Sequence, residues 1–189
     1  MLDVIWLDDA RVGDSPVREI TSTYRKTGDV WNPATAKAVW LDPERQLPAD
    51  GTGAIMSGSA TQIVTADAEI LALSAGALIG LRIRVTDASD GRDHHTRVTD
   101  FTLTGTPVTS ATLTIGEVPF VIDSADTFVV LGYPLVAQAA VTPDANKVPL
   151  VGTSAVCTYR GLREVLVDLT YTGGEACCQV CRFNVLEAT

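Results

Sequence analysis

The sequence predicts an all-β protein: a small antiparallel β-barrel or sandwich, with an extended N-terminal arm before it and a short C-terminal β-unit after it. Three observations lead there. Leu81, Ile83 and Val85 alternate with Arg82, Arg84 and Thr86, a period of two that fits a half-buried strand and not a helix. Ala111, Leu113 and Ile115 repeat the alternation against Thr112 and Thr114. Val165, Val167, Leu169 and Tyr171 repeat it against Glu164, Leu166, Asp168 and Thr170. Clusters of Gly, Asp, Ser and Pro separate such runs, as turns separate strands in small barrels and sandwiches.

Residues 1–57 read as the arm, with little core of their own. Asp14-Ser15-Pro16 is a turn signal, and Val17 to Tyr24 has the composition of one strand. Trp31 to Pro43 is bracketed by Asn-Pro and Asp-Pro, which disfavour regular structure. Asp50-Gly-Thr-Gly53 then leads into the next segment. Trp6, Trp31 and Trp40 all fall in this stretch. Either they anchor it on its own domain, where a Trp buries much area, or they dock it on a neighbouring subunit, as aromatic anchors do. Tyr24 joins them as a candidate interface residue.

Residues 58–131 form the expected central β-domain. Asp67 to Leu78 is the best helix candidate, with good helix formers after an acidic start. Asp87 to His95 reads as a solvated hairpin tip. From residue 132 to 189 a C-terminal unit follows. Gly132-Tyr-Pro134 reads as a linker, and Thr172-Gly-Gly174 as the turn that sends Cys177 to Leu186 back along the preceding strand.

The pieces Gly58-Ser-Ala-Thr61, Gly80-Leu-Arg-Ile-Arg-Val-Thr86, Arg97-Val-Thr-Asp-Phe101, Ala111-Thr-Leu-Thr-Ile115, Pro119-Phe120 and Asp126-Thr-Phe-Val-Val130 stand in an order that resembles a small β-domain recurring in structural proteins of tailed bacteriophages. The likeness spans Gly58 to Val130. In the resembling domains the hairpin is a bland Gly/Ala/Gln loop, whereas this chain carries Asp90, Arg92, Asp93, His94 and His95 there. The resemblance implies a non-enzymatic virion protein.

Composition narrows the classes further. Hydrophobic residues make up 46% and charged residues 20% of the chain, close to globular averages, so a buried core is expected. A net charge of −9 argues against a nucleic-acid partner, which needs a clustered positive field. No run of about 18 apolar residues suggests a membrane helix. Acidic residues near Met1 do not suit a signal peptide, so synthesis in the host cytoplasm is expected. No G-x-S-x-G, Walker, H-E-x-x-H or G-x-G-x-x-G pattern occurs, and no enzyme or cofactor is expected.

Cys157, Cys177, Cys178 and Cys181 are the only candidates for a metal site. Their residue type suits tetrahedral zinc. The strand reading works against it, because Cys178 and Cys181 would point to opposite faces, with Cys177 and Cys181 roughly 13 Å apart. Buried thiols acting as small hydrophobes, and a disulfide formed after lysis, are the alternatives. His94 and His95 are adjacent, so they point apart and are poor joint ligands. They are candidate contact points with a neighbouring subunit.

The functional expectation is a capsid decoration (cement) or head–tail neck protein. It would stabilise the virion by arm exchange and β-domain docking, as a homo-oligomer against other virion proteins such as capsid, portal, adaptor or tail components. The alternative is a tail- or baseplate-fibre-associated protein, or a carbohydrate-binding module at a tail tip.

Overall fold

A computed structural model of the chain describes residues 4–22 and 32–188. Tyr24 and Trp31 lie outside the described residues. In chain order the strands are β1 (Val4–Trp6), β2 (Ala10–Arg11), β3 (Val17–Thr21), β4 (Pro33–Leu47), β5 (Gly53–Ala54), β6 (Ser57–Ser59) and β7 (Gln62–Thr65). They continue as β8 (Arg82–Thr86), β9 (Asp93–Thr104), β10 (Ser110–Ile115), β11 (Thr127–Val141), β12 (Lys147–Val151), β13 (Gly161–Tyr171) and β14 (Ala176–Leu186). Among the described residues, helix is confined to α1 (Ala68–Leu71) and a 3₁₀ turn at Ser154–Cys157. The fold is all-β, as the alternating runs require. Its sheets are not closed into a barrel, so of the two expected architectures the sandwich is the consistent one.

Two units divide the chain: one takes in Met1–Asp42 and Gln138–Thr189, the other Pro43–Ala137. In the first, β13 pairs antiparallel with β14 on one side and β4 on the other. β1 and β2 lie parallel along β14. β3 and β12 form a separate two-stranded sheet whose Ile20, Val148 and Leu150 are buried. A 2.6 Å hydrogen bond between the Ser22 and Tyr171 hydroxyls joins the end of β3 to β13. Inside, Trp40 meets Phe183 edge to face, with ring centroids 5.9 Å apart. Gly152 lets the chain pass this cluster. A Cβ there would come within 2.9 Å of Pro16 Cγ and 3.3 Å of the Trp40 ring.

The segment expected to be an arm is therefore built into a domain. Ala36, Ala38, Val39, Trp40 and Leu41 are buried in β4, and β4 has β13 as its ladder partner from Pro33 to Leu41. The pairing follows from apolar content: a run of small and β-compatible residues gains more from the ladder than Asn-Pro and Asp-Pro bracketing takes away. Pro33 opens the strand, where proline is tolerated. Pro43 sits within β4. The expected linker Gly132-Tyr-Pro134 likewise lies within β11.

In the second unit the strand order is β11-β8-β9-β10-β7-β6, with β5 against β11. Each pairing is antiparallel. One face supplies the core: Ile63, Ile83, Val85, Val98, Phe101, Ala111, Leu113, Phe128 and Val130 are all buried. Ile70 and Leu78 join them from the α1 region. The expected helix over Asp67 to Leu78 is only one turn. Asp67 caps it, with Oδ1 accepting from the Glu69 and Ile70 amides at 3.0 and 3.2 Å. Turns take over from Leu73, and Gly76 adopts a φ of +79°, a conformation that ends helices. Three turns of helix are marginal without tertiary support, and here tight turns bring both Ile70 and Leu78 into the core.

Candidate functional site

The hairpin of β8 and β9 sorts its polar side chains by strand register. Arg82 faces Arg97, Arg84 faces His95 and Thr86 faces Asp93, so these six share the face opposite Ile83 and Val85. Such a concentration of cations stands out in a chain of net charge −9. Arg84 Nη1 lies 3.7 Å from Asp93 Oδ2, and Thr86 donates to Asp93 Oδ1 at 2.7 Å. Arg97 donates from Nε and Nη2 to the Gly80 carbonyl at 3.0 and 2.6 Å. Arg84 thus has a carboxylate partner across the hairpin, and Arg97 is engaged with the Gly80 backbone.

His94 and His95 point apart, as neighbours on a strand must. They lie within β9 and not at the solvated tip, because the turn runs only from Asp87 to Arg92, closed by the Asp87 amide on the Arg92 carbonyl at 3.0 Å. His95 is exposed. His94 shares the side of Val85, and its ring lies 5.0 Å from that of Phe120.

Phe120 forms one wall of a cleft of about 340 Å³ between the Asp87–Ser89 turn and the Phe120–Asp126 loop. Asp126, only 5% exposed, ties the two sides together. Its Oδ1 accepts from the Ala88 amide at 2.8 Å and its Oδ2 from the Asp123 amide at 2.9 Å. Asp123 Oδ1 is engaged by the Ala125 amide at 2.7 Å. Asp87 Oδ1 accepts from the Ser89 amide at 2.8 Å. Hydrogen bonds from the Ser89 hydroxyl and amide, with His94 nearby, hold the Asp87 carboxyl below its ordinary range, against a smaller opposing effect of burial. Sequence reading missed this cleft. The Asp123-x-x-Asp126 spacing, which suits a carboxylate-capped turn, is the signal that points to it.

The other candidates divide sharply. Trp6 is 61% exposed and sits opposite Arg182 on β1. Trp40 is 2% exposed and packs on Phe183, so it is a core residue and is withdrawn as an interface candidate. Its alternation with Val39 and Leu41 was obscured by burial on both faces of β4.

The cysteines are free thiols, Cys157 and Cys181 buried and Cys177 and Cys178 half-buried. Cys177, Cys178 and Cys181 lie along extended β14, where Cys178 faces away from the other two. No group of three or more His, Cys, Asp or Glu side chains capable of holding a metal ion occurs among the described residues. Cys177 Sγ is 3.6 Å from the Tyr171 hydroxyl. Burial, then neighbouring Cys178 and Glu164, push the Cys181 thiol up to about 12. Burial raises Cys157 as well. Both are thereby kept as thiols and act as small apolar core residues.

No protein-family model matches the chain, and no curated protein matches it. Two solved structures share limited likeness. One is CopC from Methylosinus trichosporium OB3b, at 10% identity and a TM-score of 0.17, covering 80% of this chain and 96% of that one. The other is ACE19, the collagen binding subdomain of the Enterococcus faecalis surface protein ACE, at 9% identity and a TM-score of 0.17, covering 96% and 92%. Likeness at this level carries no conclusion about what the present chain binds.

Proposed function

We propose that the protein is a non-enzymatic structural component of a tailed-bacteriophage virion, a capsid decoration or neck-region protein that strengthens the particle by docking on other virion proteins. The observation that supports this reading most is Trp6. A large aromatic side chain left 61% exposed lies on a terminal strand whose neighbour among the described residues is β14 alone. An edge strand bearing an aromatic anchor is suited to a protein partner, through its free backbone row and the buried area the ring provides. Val17 and Val151, register partners in the β3–β12 sheet, are 63% and 65% exposed, and they add apolar area on the same unit. The resemblance of the Gly58 to Val130 segment to virion β-domains supplies the setting.

Arm exchange is not part of the proposal, because β3 and β4 pair within their own unit. Many copies in a symmetric array would sum weak contacts into a strong coat. The chain acts in the virion after assembly in the host cytoplasm, with neither nucleic acid nor membrane as partner. The test is incorporation: Trp6→Ala is expected to leave a folded chain that is lost from purified particles, whereas undiminished incorporation overturns the assignment of Trp6 as the docking residue.

A carbohydrate-binding module at a tail tip is the second reading. Tyr159, 74% exposed on the loop after the 3₁₀ turn, is the aromatic such a module would use. Binding of the isolated chain to a glycan array, removed by Tyr159→Ala, would favour it.

A further inference from the structure

We propose that the cleft between the Asp87–Ser89 turn and the Phe120–Asp126 loop receives one basic side chain of a partner protein, with arginine the best fit. Four features of the cleft point the same way. First, it is preformed. Buried Asp126 hydrogen-bonds the Ala88 amide on one wall and the Asp123 amide on the other, so the cleft keeps its width without a ligand. Second, its size of about 340 Å³ suits a single long side chain and not a folded element.

Third, its walls are of two kinds. Phe120 lines the cleft, its ring 5.0 Å from that of His94, and Val121, 73% exposed, extends the apolar rim. Aliphatic carbons pack on such a rim, while a planar guanidinium stacks on the ring. Fourth, the charge is of one sign. Asp87, Asp123 and Asp126 are the ionisable residues of the lining, and hydrogen bonds from Ser89 hold the Asp87 carboxyl below its ordinary range. The nearby Arg92 is turned to Asp90, at 3.4 Å. A carboxylate rim over an aromatic wall is the chemistry that selects arginine over lysine, since the planar fork satisfies carboxylate and ring together.

The inference does not depend on the virion reading, because the pocket can be tested on the isolated full chain. The probe is N-acetyl-arginine amide, followed through the backbone amide resonances of Ala88, Ser89, Asp123 and Ala125. The neutral isostere N-acetyl-citrulline amide serves as control. Saturable shifts at these four amides are expected with a dissociation constant on the order of 10 mM, the range for one exposed ion pair with a ring contact. Citrulline amide should bind at least about fivefold more weakly, as should arginine amide to the Asp87→Asn/Asp123→Asn chain.

Val121→Arg, at a position too exposed to disturb folding, supplies a competing guanidinium at the rim and should weaken the probe comparably. Shifts that are absent, equal for citrulline, unchanged in both variants, or spread evenly over the acidic surface would overturn the proposal.

Discussion

Arg182 donates to a single oxygen of Glu164, Oε2, from both Nε and Nη2, each at 2.8 Å, and Glu164 is fully buried. The two are register partners across β13 and β14. A carboxylate taken out of water this completely is tolerable only with a charge partner in good geometry. Arg182→Leu is therefore expected to cost roughly 3 kcal/mol or more, read as a lowered urea midpoint at unchanged slope. The double change Glu164→Leu/Arg182→Leu should recover most of that loss, since two apolar residues leave no charge to desolvate.

Tyr171 holds a second buried polar connection. Its hydroxyl meets Ser22 Oγ at 2.6 Å and Cys177 Sγ at 3.6 Å. Tyr171→Phe keeps the ring and leaves the Ser22 hydroxyl without this partner. A loss of about 1–2 kcal/mol is expected by denaturant titration. A neutral result would mean that water replaces the lost hydroxyl.

The Cys181 thiol, pushed up to about 12 by burial, links stability to alkaline pH. The folded value lies above the unfolded one, so the protonated thiol's contribution is complete below about pH 9. It is lost as pH rises from there through 12. The slope is on the order of 1 kcal/mol per pH unit. Cys181→Val should flatten the decline between pH 9 and 12, measured by urea unfolding at each pH. Native-state alkylation should mark Cys177 and Cys178 before Cys157 and Cys181, whose labelling requires opening of the unit.

Gly53 pairs with Phe128 across β5 and β11, and a Cβ at Gly53 would sit 2.5 Å from Phe128 Cε1. The Phe128 side chain is 1% exposed, so it has little room to retreat. Gly53→Ala is expected to destabilise by about 1–3 kcal/mol through overpacking. Ala at Gly173, where a Cβ meets nothing within 4 Å, is the matched control and should change little.

The period-two runs made the strands legible. Arg82–Thr86, Ser110–Ile115 and the hairpin of Gly161–Tyr171 with Ala176–Leu186 all stand where alternation places them. The return turn at Thr172-Gly-Gly174 is also where glycine suggests, with the Gly174 amide on the Tyr171 carbonyl at 2.9 Å. What the alternation hid was burial on both faces. Glu164 and Leu166 read as the outward face of β13, yet both are buried. Likewise Val39, Trp40 and Leu41 form one apolar run, which periodicity does not assign to a strand.

Long-range pairing was equally hidden. Nothing local in Pro33–Leu47 reveals that its partner is more than a hundred residues later, so the segment read as an arm. Of the site, the opposite pointing of His94 and His95 followed from strand geometry alone. The cleft beside them depends on a loop contact between Ala88 and Asp126 that no spacing rule encodes.

The most direct test of the virion assignment is quantitative mass spectrometry of density-purified particles from infected host cells. The expected result is this chain at a fixed copy number per particle, in the hundreds for a decoration protein or about a dozen for a neck protein. Its absence from the particles, with the full pool left free in the lysate, would contradict a structural role.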